Sequence, residues 1–309
     1  MARGVGLREE SDPSRFRDAM PQPIVLRLPY EPPFDWAAIV GFLSARAIQR
    51  VEAGDDTSFR RAIRIGDSSG VVTVRPIPGE HALRAELRLE GGATPSEIER
   101  RLRCIFDLDA EPRRLTTSLS RDPILRRRLR RFPGVRVPGA WSGFEMAVRA
   151  ILGQQVSVRG ATTLAGRLVE RHGESLPGRF SASEPDRLFP RPERLANANL
   201  TEIGLTRARA HTVSSLAAAV VEGRLDLEKG GSTDTLARLR LFRGVGDWTA
   251  QYIGMRALRD ADAFPAGDLG VRRALASGAE LPSAADVERR AEKWRPFRAY
   301  AAMLLWLAP

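Results

Sequence analysis

Between residues 34 and 49, "FDWAAIVGFLSARAIQ", apolar side chains recur every three or four positions. That is the period of a helix with one buried face, and Asp35 stands where an N-cap belongs. The pattern then changes: "SFRRAIRIG", "GVVTVRPI" and "ALRAELRLE" alternate or carry β-branched residues, with "DSSG" and "PGEH" as turns. "TPSEIERRLRCIFDL" returns to the helical period, opening on a capping-box-like Thr94 with Pro95 at the first helical position and running to Leu108. Residues 21–112 therefore read as an α+β unit around a small antiparallel sheet.

Beyond Glu111 the alternation fades and helical patterns take over. They fall at 121–131, 141–154, 157–172, 192–198, 206–222, 232–241, 247–259, 268–275, 284–293 and 296–307, separated by Gly- and Pro-containing breaks. The stretch 174–192 is too proline-rich to be a helix. Residues 113–309 are thus expected to be all-helical, and residues 1–20, of mixed charge, to form a poorly ordered tail.

Within the helical part, "LRLFRGVG" ends one helix and starts another near Asp247. Gly244 and Gly246 permit a sharp turn and close approach of a backbone. The free amides at the start of the second helix favour an anion such as phosphate. Leu239, Phe242 and Val245 would pin the helices together. This is a helix-hairpin-helix pattern over about 232–260, a grip on the DNA backbone that ignores sequence. An ordinary αα-corner explains "GVG" alone, and Asp247 competes with phosphate for the same amides. Trp248 and Tyr252, four apart, share one helix face. Asp268 follows Gly246 by 22 residues and opens "DLGVRRAL", where an aspartate serves as N-cap.

Composition narrows the chemistry. The formal net charge is +11, which suits a polyanionic partner. Lys229 and Lys293 are the only lysines, so a lysine nucleophile has two candidates. Cys104 is the only cysteine, which excludes an internal disulfide and a cluster held by four cysteines. His81, His172 and His211 lie far apart without metal-ligand spacing. No apolar run reaches the roughly 18 residues of a membrane span, and the N-terminus lacks a signal peptide's apolar core. A cytoplasmic, DNA-associated chain is expected. The arginine run "RDPILRRRLRRF" at 121–132 reads first as a solvated helix face, with DNA contact as the alternative.

Five ordered segments carry a resemblance: "PYEPPFDWAAIVGFLSARAI", "AVRAILGQQVSV", "FRGVGDWTAQYIGMRAL", "GDLGVRRAL" and "EKWRPFRAYAAMLLW". The chain resembles, from about Leu28 to Leu307, the AlkA family of DNA-3-methyladenine glycosylases II, within the helix-hairpin-helix glycosylase superfamily. The resemblance implies a TATA-binding-protein-like N-terminal domain before the helical domains. It implies Asp268 as the catalytic aspartate and Phe42, Trp248, Tyr252 and Trp306 as the lining of a base pocket. It places Arg243, Gly244, Val245 and Gly246 in the DNA-binding hairpin. Gln155 stands where the best-known form has a leucine wedge, with Gln154 as its helper. Arg243 replaces the usual hairpin proline, and Leu269 a frequent tyrosine.

As in relatives, carbonyls of Arg240, Phe242 and Val245 would hold a monovalent cation; no cofactor is required. In bifunctional superfamily members a catalytic lysine follows the hairpin glycines, and here that place is Trp248. The implied function is monofunctional release of alkylated purines, of the 3-methyladenine and 7-methylguanine type, from double-stranded DNA. A monomer is expected, because one hairpin grips one strand and no coiled-coil surplus is seen, and no protein partner is inferred. The alternatives are a non-catalytic DNA-binding module and an oxidised-purine glycosylase.

Overall fold

The structure is a computed structural model that describes residues 22–176, 180, 185–228 and 232–307. The expected tail and Lys229 lie outside the described residues. Five antiparallel strands form the N-terminal sheet in the order β1-β5-β4-β3-β2: β1 Ile24–Pro29, β2 Glu52–Gly54, β3 Phe59–Ile65, β4 Ser68–Pro76 and β5 Ala82–Glu90. Helix α1 (Trp36–Ser44) lies between β1 and β2, and α2 (Pro95–Phe106) follows β5. The period-2 alternation sorts the two faces. Ile63, Val72 and Leu87 turn inward with Ile39 and Val40 of α1 and Ile98 and Leu102 of α2. Ala62 and Val71, opposite each other in the β3–β4 register, point the other way.

Asp35 caps α1 by accepting the Ala38 amide at 2.9 Å. Thr94 makes no such bond, so the expected capping box is absent; Pro95 at the first position starts α2. Pro also opens α3 (Pro112–Leu119), a helix the hydrophobic pattern did not single out, and α4 (Pro123–Arg131). There follow α5 (Gly143–Leu152), α6 (Val158–His172), α7 (Pro192–Ala196), α8 (Arg207–Val221), α9 (Ser232–Arg240), α10 (Asp247–Arg256), α11 (Leu269–Ala274), α12 (Ala284–Ala291) and α13 (Arg298–Leu307). The helical part is not wholly helical. Two short strands, β6 Glu174–Ser175 and β7 Arg187–Leu188, pair within the proline-rich stretch. Leu176, Phe180 and Leu188 there cover Ala62 and Val71 on the outer sheet face. This pairing joins residues 12 and 14 positions apart, so no local periodicity announces it.

The helices bury their apolar stripes in two cores. One gathers α5, α6, α8 and the hairpin residues Leu239, Val245 and Ile253. The other gathers α3 and α4 with α11, α12 and α13, and takes in Phe42 from α1 and Met255 from α10. Helix α10 therefore belongs to both cores, Ile253 in one and Met255 in the other. Its remaining face looks into a cavity between them.

Candidate active site

The hairpin turn is built on one constrained glycine. Gly244 has φ +90, and an added Cβ would come within 2.6 Å of Thr212 Oγ1, so both conformation and space demand glycine. Gly246 differs from expectation: its φ is −83, it is the α10 N-cap, and a Cβ there would meet open space. Its small size leaves the amides of α10 open to an approaching group. Val245 is buried and Arg243 exposed, its carbonyl accepting Thr212 Oγ1 at 2.8 Å. Asp247, at the helix start, is held by Arg240 at 2.7 Å, so its charge is partly countered. The Phe242 carbonyl accepts the Val245 amide at 2.9 Å.

Gln154 is not free to enter a base stack. Its side-chain amide donates to the Gly244 carbonyl at 2.7 Å and to Thr249 Oγ1 at 2.9 Å, and its backbone carbonyl accepts Arg209 at 2.8 Å. It ties the α5–α6 loop to the hairpin rather than helping a wedge. Gln155, next to it, is exposed and sits at φ 53, a left-handed conformation unusual for a non-glycine residue. Val156 and Val158 follow it on the wall of the cavity, both partly exposed.

One helix turn separates Trp248 and Tyr252 on α10, and their rings stack at 5.3 Å with an interplanar angle of 16°. Trp306, from α13, stands 6.0 Å from Tyr252 at 51°. Together they wall a cavity of about 360 Å³ that Asp268 also lines. Asp268 is the N-cap of α11, its Oδ1 accepting the Val271 amide at 3.0 Å. The same oxygen accepts Trp306 Nε1 at 2.9 Å, and Oδ2 accepts Trp248 Nε1 at 3.0 Å. The cap fixes the carboxylate's angle and the two indoles clamp it from either side. Gly270 makes room for this: a Cβ would lie 3.0 Å from Asp268 Oδ1 and 3.2 Å from Trp306 Cδ1.

Phe42 does not line the cavity. It is buried behind Trp306, stacked on it at 6.2 Å and 20°. Arg46 and Arg256 cover the Phe42 ring at 3.7 and 4.9 Å, and Arg256 also lies 5.7 Å from the Tyr252 centroid. Among the described residues no guanidinium occupies the indoles of Trp248 or Trp306. Those two electron-rich faces remain for a flat cation or base.

The cavity floor holds residues that the sequence did not announce. Arg46, Arg149 and Arg256 line it. Arg256 donates to Tyr252 Oη at 2.9 Å and to the carbonyls of Pro138 and Gly139. Arg149 reaches Glu52 and Glu145, each at 3.0 Å, and the Arg46 carbonyl at 2.5 Å. Arg61 on β3 closes the set by pairing with both glutamates. Burial alone would raise the Glu52 carboxyl, but Arg149 and Arg61 hold it below its ordinary value. Burial would likewise raise the Tyr252 hydroxyl, yet the cations of Arg256, Arg46 and Arg149 bring it below the usual phenol value. The N-terminal sheet is thus wired by buried ion pairs to the floor of the cavity.

Comparisons with known proteins agree with this layout. Residues 25–142 match the AlkA N-terminal domain, and residues 148–296 match the HhH-GPD superfamily of base excision DNA repair proteins. The chain is 34% identical over 286 residues to DNA-3-methyladenine glycosylase 2 of Escherichia coli, covering 90% of this chain and 95% of that protein. It is 37% identical over 289 residues to a probable bifunctional transcriptional activator/DNA repair enzyme AlkA of Mycobacterium tuberculosis. That match covers 92% of this chain but only 56% of the mycobacterial protein, so the chain spans about half its length. A 3-methyladenine DNA-glycosylase structure from Archaeoglobus fulgidus superposes with a TM-score of 0.78 at 28% identity, over 91% of this chain and 97% of the other.

Proposed function

The chain belongs to the AlkA branch of the HhH-GPD superfamily of base excision DNA repair proteins, and from that membership we propose that it is a monofunctional glycosylase for alkylated purines in duplex DNA. The observation that carries this reading is the Asp268 carboxylate, clamped by two indole N–H groups at an aromatic cavity. A base inside a duplex is out of reach, so the nucleotide must be extruded at a cost of a few kcal/mol, least for a weakly paired base. The hairpin amides at Gly244–Gly246 grip a phosphate while Gln155 enters the vacated stack. The extruded N-alkylpurine lies against Trp248 and Trp306, where cation–π attraction contributes about 0.5–2 kcal/mol.

An N-alkylated purine already carries positive charge and leaves with the glycosidic electron pair, so no general acid is needed. Breaking the C1′–N bond develops positive charge on the sugar. Asp268 stabilises that charge, orients a water towards C1′ and takes its proton as the C–O bond forms. A lyase step would need an amine at the sugar. Position 248 is tryptophan, and Lys293 is paired with Asp122 at 2.9 Å, away from the cavity lining. The carbonyls of Arg240, Phe242 and Val245 would steady the turn around a monovalent cation; that of Phe242, already accepting one amide, has one lone pair to offer. No helix among the described residues is long and apolar enough to cross a membrane. The protein acts as a monomer on cytoplasmic DNA.

Incubation with methylated duplex DNA, followed by chromatography of the products, tests the reading. Free 3-methyladenine or 7-methylguanine is expected, with an unbroken abasic strand and no covalent adduct under borohydride. Tight DNA binding without base release would favour the non-catalytic module. A borohydride adduct with oxidised-purine DNA would favour the bifunctional alternative.

A further inference from the structure

The arginine run in α4 divides sharply in the fold. Leu125 and Leu129 are buried and Ile124 is half-buried, so the helix has used its apolar stripe in the core. Arg128 is spent internally: it donates to the Leu304 and Leu305 carbonyls at 3.2 and 3.5 Å and to the Ala274 carbonyl at 3.5 Å, the C-terminal ends of α13 and α11. Arg126, Arg127, Arg130 and Arg131 are exposed. At about 100° per residue they span one face of about 140°. Arg131 rests on the Phe132 ring at 5.3 Å, and Arg126, Arg127 and Arg130 have no carboxylate within bonding distance among the described residues.

The one acid of the segment does not neutralise them. Asp122 is buried as the N-cap, accepting the Ile124 amide at 2.8 Å and Trp294 Nε1 at 3.1 Å, and it pairs with Lys293. Elsewhere exposed arginines such as Arg50 and Arg295 are matched by acids. On α4 like charges stand four apart and repel. An unpaired face of this kind suits a partner that brings its own negative charge.

Its position identifies the partner. Helix α11 is capped by Asp268, carries Arg273 on the cavity wall and ends at Ala274, which Arg128 holds. Six residues of helix span about 9 Å, an arginine reaches about 6 Å further, and the exposed face lies across the roughly 10 Å width of α4 from Arg128, so it stands on the order of 25 Å from the Asp268 carboxylate. At one phosphate per about 3.4 Å of strand axis, that is about seven nucleotides. No large apolar side chain of α4 is fully exposed, which disfavours a lipid surface, since an interfacial helix needs one to insert.

We propose that the Arg126, Arg127, Arg130 and Arg131 face of α4 is a second, sequence-independent contact with phosphates of the same DNA whose damaged base enters the cavity. The proposal rests on the glycosylase reading. Planar guanidiniums fork onto phosphate oxygens, and each phosphate neutralised releases counterions.

The test replaces all four arginines by glutamine in the full chain, with an Arg→Lys quadruple variant as the charge-preserving partner. Binding to an undamaged duplex is measured across salt concentrations, and single-turnover base release at saturating protein on methylated duplex. The slope of log K against log salt is expected to shrink by about 2–4, at about 0.9 per lost phosphate, and to recover with lysine. The release rate at saturation is expected to stay unchanged, because these side chains touch no reacting atom. An unchanged slope overturns the proposal, as does loss of binding to phosphatidylserine vesicles with the DNA slope intact. If the parent releases no base but the slope still shrinks, the glycosylase reading fails and the phosphate contact stands.

Discussion

Two aspartates sit on cavities of about the same size, about 360 Å³ each, one running along α10 and the other beyond its C-terminal end. Asp268 is half-buried at the rim and accepts from two indoles and one amide. Asp107 ends α2 in a left-handed conformation at φ 49 and is only 7% exposed. Its Oδ2 accepts Tyr300 Oη at 2.8 Å and the Val137 amide at 3.0 Å, joining the N-terminal domain to α13. Burial pushes the Asp107 carboxyl up to about 6, against the help of these two bonds. Burial, with the Asp107 charge beside it, in turn pushes the Tyr300 hydroxyl up. The difference lies in access and in the donors. Indole N–H groups donate only, and the Asp268 rim is open to solvent; Asp107 is held by a phenol and an amide and ties segments together.

The contrast breaks first at the indoles. Changing both Trp248 and Trp306 to Phe keeps two rings and removes both donors to Asp268. The carboxylate then keeps only the Val271 amide to fix its angle, and misplacement by about 1 Å can cost about 10²-fold, so single-turnover base release is expected to fall by about that factor, with duplex affinity within a few-fold. An unchanged rate would show that the clamp is not needed.

The second cavity sharpens the contrast through pH. A carboxyl whose folded value is about 6 against an ordinary 3.8 binds more protons folded than unfolded between those values. Its contribution to stability therefore declines as pH rises through that window, and the ionised form is penalised above it. Asp107→Asn keeps an acceptor without the charge. Its stability relative to the parent should improve by on the order of 1–2 kcal/mol between pH 4 and pH 7.5 in urea unfolding. A difference independent of pH would contradict the assignment.

The smallest effects separate the neighbouring glutamines. Gln154→Ala loses two bonds to the hairpin and is expected to cost about 1 kcal/mol of stability. Gln155→Ala, at an exposed position, should leave stability within about 0.5 kcal/mol while slowing base release a few-fold. Equal losses of stability at both sites would remove the distinction between tether and wedge.

Much of this was legible in the chain. The period of 3.6 put Trp248 and Tyr252 on one face, the period of two gave β3 to β5, and the position of Asp268 before an apolar run marked its cap. The α5–α6 loop and Trp306 were reached only through resemblance, because nothing local links residues 38 positions apart such as Asp268 and Trp306. The floor escaped notice. Forty-nine Lys and Arg residues offer no local sign that Arg46, Arg149 and Arg256 are turned inward or that Glu52 and Glu145 meet Arg61. Gly270 looked like any helical glycine until the indole and carboxylate on either side of it were in place. Strands β6 and β7 escaped for the same reason, since pairing at a distance leaves no mark on a short window.

The most direct measurement compares Asp268→Asn with Asp107→Asn on one methylated duplex, reading the single-turnover rate of base release and the dissociation constant together. A fall of about 10²–10⁴-fold in rate for Asp268→Asn, with affinity held and Asp107→Asn near the parent, is the expected result. Base release that survives Asp268→Asn, or falls equally in both variants, would contradict the role given to the clamped carboxylate.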